Sequence, residues 1–135
     1  MNPKISGVGI LLIVGCMIFF GAGCGLFVGA AVVGGVAGTT VYLNGELQHA
    51  YSVPMEKAWK ATEDVVAEKG MKVTEKYLDN MDRNRFIKGT MRDGKECQIT
   101  LETKAPDVTV VKVRVGFFGD EVASQQIHDQ IKQKF

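Results

Sequence analysis

Residues 5–43 carry no charged side chain: Lys4 precedes the run and Glu46 is the next charge after it. A run of that length and polarity is directed at a membrane, so the chain divides into an apolar leader and a water-compatible remainder. The 135 residues leave room for one domain beyond the apolar run. The chain has 16 basic and 15 acidic residues, and removing residues 1–23 leaves 15 of each. A balanced chain without a basic stripe lacks the electrostatic footprint of a nucleic-acid binder.

The leader has the order of a secretion signal. Residues 1–4 form a short positive start, residues 5–20 an apolar core, and Gly21-Ala22-Gly23 the small residues a signal peptidase accepts. Cys24 follows at once. Small residues directly before a cysteine suit the lipoprotein pathway, in which the thiol is lipidated, the chain is cut before it, and the new amino terminus is acylated. Several acyl chains then give an anchoring that one chain cannot. The expected division is a signal peptide at 1–23, a lipidated Cys24 with a glycine-rich apolar stem at 24–43, and a soluble domain at 44–135. Cys16, after Leu12-Ile13-Val14-Gly15, is the alternative lipidation site, although cutting there leaves a short apolar core. The alternative to cleavage is an uncut anchor, because residues 5–27 are long enough to span a bilayer.

The stem has a second pattern. Gly21, Gly25 and Gly29 are four apart, and Gly34 and Gly38 repeat the spacing. On a helix this places small residues on one face, where another backbone can approach closely. The stem is thus either an apolar spacer or a self-associating helix that makes a homo-oligomer.

The remainder alternates between strand and helix periods. Residues 45–51 read as a strand with Leu47, His49 and Tyr51 on one face. A helix begins at Pro54, which suits the first turn because it needs no N–H there. Ser52 or Val53 is its expected cap. Met55, Ala58, Trp59, Thr62, Val65 and Val66 share its apolar stripe, and Gly70 closes it. Residues 71–78 read as a strand with Met71, Val73 and Tyr77 on one side. Strands at 85–91 and 96–103 flank Asp93-Gly94, a hairpin signal, with Cys97, Ile99 and Leu101 inward. The last strand, 108–117, turns Val111, Val113, Val115 and Phe117 inward. Asp120 caps a final helix in which Ala123, Ile127, Ile131 and Phe135 recur every fourth residue.

The order β-α-β-β-β-β-α predicts a two-layer α+β sandwich: a mostly antiparallel five-stranded sheet, both helices on one face, and an apolar helix ahead of it. The opposite face is expected to be polar, with Thr74, Lys76, Gln98, Thr100, Glu102, Lys112 and Arg114.

Catalytic patterns are missing from the sequence. His49 and His128 have no local Ser, Cys or acidic partner at the spacing of a nucleophilic or metal site, and His128 is expected on the exposed side of the last helix. Cys97 reads as a buried apolar thiol. The glycines of 21–38 do not form a phosphate loop, since no Lys-Ser/Thr follows. No cofactor, metal or catalytic residue is expected. Phe118 is expected to pack under the last helix.

The chain resembles a family of short bacterial lipoproteins catalogued as a domain of unknown function. The carriers are Gly23-Cys24 with the Gly/Ala/Val run, Gly45-Glu46-Leu47, Tyr51, Pro54 with Ala58-Trp59, Gly70-Met71-Lys72-Val73, and residues 113–121 (VRVGFFGDE). Gly21 departs from the lipobox, which usually has Leu there. The strand–Pro–helix–Gly–strand entry is also similar, at fold level only, to helix-grip domains of accessory lipoproteins in outer-membrane β-barrel assembly. The resemblance implies location and fold, a lipoprotein of the bacterial envelope, and no activity. With no catalytic pattern among the residues, the expected role is non-enzymatic, the domain meeting an envelope protein or a second copy. Gly25 is not the aspartate that retains such proteins in the inner membrane, so the expected place is the outer membrane, facing the periplasm. The uncut anchor would instead make an inner-membrane single-pass protein.

Overall fold

The computed structural model describes residues 37–79, 81 and 83–135. These residues form β1 (Thr40–Leu43), β2 (Glu46–Tyr51), α1 (Met55–Glu68), β3 (Lys72–Leu78), β4 (Asn84–Thr90), β5 (Glu96–Ala105), β6 (Val108–Val115) and α2 (Glu121–Lys132). All strands join one antiparallel sheet in the order β1-β2-β6-β5-β4-β3. The α+β architecture with two helices is as expected, but the sheet has six strands rather than five. The extra strand is β1, taken from residues 40–43 that the sequence assigned to the stem. Its Thr-Val-Tyr-Leu has strong strand propensity, and Asn44-Gly45 supplies the left-handed pair that a tight hairpin needs, with φ of 53° and 81°. The leader helix, the signal peptide, Cys16, Cys24, Gly21, Gly25, Gly29 and Gly34 lie outside the described residues.

The core forms where the helices meet one face of the sheet. Register places Leu47, Val113, Ile99 and Ile87 side by side across four strands, pointing one way. Val111, Val113, Val115, Ile99 and Leu101 are at most 1 % exposed. α1 covers this face with Met55, Ala58, Trp59, Ala61, Thr62, Val65 and Val66. α2 covers it with Ser124, Ile127, His128 and Ile131. Each fully buried branched side chain contributes roughly 1.5–3 kcal/mol of transfer free energy. Both helices lie on this face, as the patterning predicts, and Trp59 and Cys97 are buried as expected. Burial pushes the Cys97 thiol up to about 12, so it is an inert apolar group.

The helix ends follow local chemistry with one shift. Pro54 is itself the N-cap of α1, in extended conformation and without a side-chain cap, instead of lying inside the first turn. At the other end, the Gly70 N–H bonds the Ala67 carbonyl and the Met71 N–H bonds the Val66 carbonyl, with Gly70 at φ 61°. Asp120 caps α2 as expected, its carboxylate accepting from the Ala123 N–H at 3.0 Å.

β3 departs from its predicted facing. A bulge between Val73 and Glu75 changes the alternation. Lys76 then pairs with inward Ile87, and Tyr77 with Phe86 on the other side. Tyr77 therefore does not share a face with Val73, and Lys76 leaves the polar face. Its ammonium lies 5.2 Å from the Trp59 ring centre and pairs with Glu63. Arg85, unremarkable in the sequence, is 4 % exposed, lies 5.4 Å from the same ring and pairs with Glu56. The predicted polar face holds for Gln98, Thr100, Glu102, Lys112 and Arg114, which register places opposite the helices. On it, burial would raise the Glu102 pKa, but hydrogen bonds from Lys104 and Lys112 hold it below the usual carboxylate value.

The β1–β2 turn and the β6–α2 loop touch through glycine. A side chain on Gly119 would bring its Cβ to 2.3 Å from the Gly45 oxygen and 2.4 Å from the Gly45 Cα, and Gly119 has φ +85°. Gly119→Ala should therefore cost about 3 kcal/mol, combining left-handed strain with overpacking. Urea unfolding monitored through Trp59 should show the lower midpoint, and an unchanged midpoint would mean that the two loops separate freely.

Candidate functional site

The polar groups that the fold brings together most tightly lie between β2 and α2. Strand alternation turns His49 and Tyr51 toward the helix layer. The α2 stripe turns His128 back toward them, where it is 2 % exposed. This corrects the expectation of an exposed His128. A repeat of every fourth residue drifts around a helix of 3.6 residues per turn, and the buried set at i, i+3, i+4 and i+7 is Ser124, Ile127, His128 and Ile131. Ala123 and Phe135 are partly buried against the edge of the core.

The hydrogen bonds of His128 fix its tautomer. Its Nε2 lies 2.8 Å from the Leu47 carbonyl oxygen, which can only accept, so Nε2 carries the proton. Nδ1 then accepts from the Tyr51 hydroxyl at 2.9 Å. The same hydroxyl lies 3.2 Å from the His128 carbonyl oxygen. Burial, opposed by the Leu47 bond and aided by nearby His49, lowers the His128 pKa to about 4. Burial and the charge of Asp129 raise that of Tyr51. His49 stacks on Tyr51 with ring centres 4.3 Å apart, and its Nδ1 lies 2.5 Å from the Thr40 hydroxyl. Burial and Lys132 lower its pKa against the opposing effect of Asp129.

Chemically this is a neutral set of hydrogen bonds in two parts, joined by the ring contact of His49 and Tyr51. Thr40 reaches β2 through His49, and β2 reaches α2 through Tyr51 and His128. The imidazole has both nitrogens engaged, so it is a structural clamp and not a poised base. Nothing in the sequence indicated this pairing, because positions 51 and 128 are far apart in the chain. Among the described residues no three His, Cys, Asp or Glu side chains are grouped to hold a metal. A cavity of about 10 Å³ beneath α1 is lined by Val65, Val66, Met71, Cys97, Ile99 and Ile127, with space for about one water.

The sequence-predicted functional positions are otherwise little sampled. Gly38 alone of the spaced glycines is described. It sits in a turn with φ 88°, its N–H bonding the Ala50 carbonyl at 2.7 Å, so at this position the chain has left any helix. Phe117 and Phe118 are 81 % and 87 % exposed, which corrects both the inward placement of Phe117 and the packing of Phe118 under α2. β6 ends at Val115 and Gly116, at φ 75°, turns the chain outward. Among the described residues no helix is long and apolar enough to cross a membrane.

Comparisons place these features in a family. The family model described as "Protein of unknown function (DUF3568)" matches residues 7–134. No curated protein matches the chain. Among solved structures, CalU16 from Micromonospora echinospora is similar at 13 % identity, covering 64 % of this chain and 70 % of its own, with a TM-score of 0.41.

Protonating His128 would remove the acceptor for Tyr51 and bury a charge. Its folded pKa lies below the unfolded value near 6.5, so the stability it confers is complete above that value and is lost as pH falls toward 4. The loss by pH 4 should be about 3 kcal/mol. His128→Gln should flatten this acid limb in urea titrations run from pH 7 to pH 4; a variant with the same pH slope as the parent would remove His128 as its cause.

Proposed function

The chain belongs to the DUF3568 family of proteins of unknown function, and from that premise we propose that it is a lipid-anchored protein of the bacterial envelope. In this reading its α+β domain binds or scaffolds another envelope component without catalysis. The observation that carries the proposal is where the uncharged run ends. It continues through residue 43 and so includes β1, the edge strand of the sheet. The domain is thereby joined to the apolar segment with no charged linker between them.

Cys24 after Gly21-Ala22-Gly23 is the proposed lipidation site, with Cys16 the alternative. Gly25 after the cysteine favours the outer membrane facing the periplasm. A binding role is supported by the kind of side chains on show. The described histidines are tied into the clamp, the described cysteine is inert, and several large apolar side chains face outward at the sheet edges.

Growth of a bacterial host with an alkyne fatty acid should label the full chain, and Cys24→Ala should abolish the label. Label retained in Cys24→Ala but lost in Cys16→Ala would move the site. An unlabelled protein with an intact N-terminus by mass spectrometry would overturn the lipoprotein reading in favour of an uncut anchor.

A further inference from the structure

The large apolar side chains left exposed fall into two groups at opposite edges of the sheet. Val73, Tyr77, Leu78 and Met81 belong to β3 and the loop after it; Tyr42, Leu43, Phe117, Phe118 and Val122 belong to β1, the β6–α2 loop and the first turn of α2. The two edges differ in chemistry. β3 interleaves Lys72, Glu75 and Lys76 with its apolar residues and carries a bulge, the means by which edge strands are kept in water. β1 has no charge at all.

The second group is also held in place. The close approach of Gly45 to the Phe118 carbonyl and to Gly119 fixes the hairpin beside the loop. The Arg114 guanidinium donates to the Phe117 carbonyl and so ties the loop to β6. The two rings stand edge to face with centres 5.0 Å apart. The Lys95–Asp120 pair closes the start of α2. The result is an aromatic tip on a short, fixed loop between two glycines in left-handed conformation, Gly116 and Gly119.

We propose that this tip and the β1 edge form a membrane-contacting surface whose occupant is the lipid bilayer interface. The inference rests on the anchored reading above and adds to it an orientation: the domain lies with its β1 edge against the lipid. The choice of lipid over protein follows from where the apolar chain ends. The uncharged run enters the domain at β1 itself, and four residues of strand span only about 13 Å. With the uncharged residues 25–39 lying against the membrane that holds Cys24, Leu43 and the adjoining loop are within reach of it. Phenylalanine rings can enter the acyl boundary while the open edge of β1 stays at headgroup depth, where water satisfies its unpaired backbone groups.

The test uses the full chain reconstituted in vesicles of phosphatidylethanolamine and phosphatidylglycerol at about 7:3, with an environment-sensitive thiol probe at Val122→Cys in a Cys16→Ala background. Cys97 is buried and stays unlabelled in the folded protein, and the Cys16→Ala chain without an added cysteine, labelled in parallel, measures and subtracts any probe taken up by an unlipidated Cys24. A matching probe at Tyr77→Cys marks the opposite edge. The expected result is quenching by spin-labelled lipid at position 122 and not at 77. Adding Phe117→Ser and Phe118→Ser should reduce that quenching about tenfold or more, with the urea midpoint unchanged because both rings are already exposed. Equal exposure to water at 122 and 77 would overturn the inference. So would a protected probe at 122 that lipid does not quench and that crosslinks to a second copy. Mass spectrometry of the N-terminus on the same sample reads the anchor separately. A lipidated chain with a wet tip rejects only the orientation, and an unlipidated chain with a quenched tip rejects only the anchor.

Discussion

The fold depends on covering one row of branched side chains, the inward residues of β6. Val111, Val113 and Val115 have essentially no exposure, and β6 lies between β2 and β5 so that both helices can reach it. A central strand that is last in the sheet to be made has two consequences. The sheet closes only when residues 108–115 return between β2 and β5, strands that α1, β3 and β4 separate in the sequence. The chain leaving β6 must then cross back over the same face, which it does through the Gly116–Gly119 turn and α2. The exposed aromatic loop exists because that reversal is sharp.

Much of this was legible in the sequence because burial on one face leaves a period. The alternation of Cys97, Ile99 and Leu101, and of the β6 valines, needs no tertiary information. The stops were readable for the same reason: Gly70 and Asp120 act on their own backbone neighbours. β1 was missed because it continues an apolar run without a change of composition. A strand and a membrane-directed stem draw on the same valines, leucines and tyrosines. The β3 facing failed on one residue, since a bulge has no sequence cost when the strand lies at an edge.

The polar clamp was harder to read. Tyr51 and His128 meet across 77 positions, and a histidine on a helix reads as surface unless its stripe is counted at 3.6 residues. The every-fourth series found Ile127 and Ile131, which belong to the true stripe, but its outer members, Ala123 and Phe135, lie at the rim in the structure, and it left out Ser124 and His128. Arg85 was hidden for a related reason. An inward arginine is tolerated only because Glu56 and the Trp59 face sit above it, and both come from a helix that precedes it by more than a turn of sheet.

An uncharged four-residue edge strand is a liability in a free domain, because it offers unpaired N–H and C=O groups beside apolar side chains to any other chain. Here it is stitched to β2 by four register pairs, the Thr40–His49 bond and the Gly38–Ala50 bond. Among the described residues no strand pairs with its outer side. The charges on β3 show that this sheet does guard an edge when that edge faces water. Under the proposed anchoring, the unguarded β1 is the edge that lipid would cover, and the same apolar run that would hold the domain to the membrane would also determine which of its two edges the membrane covers.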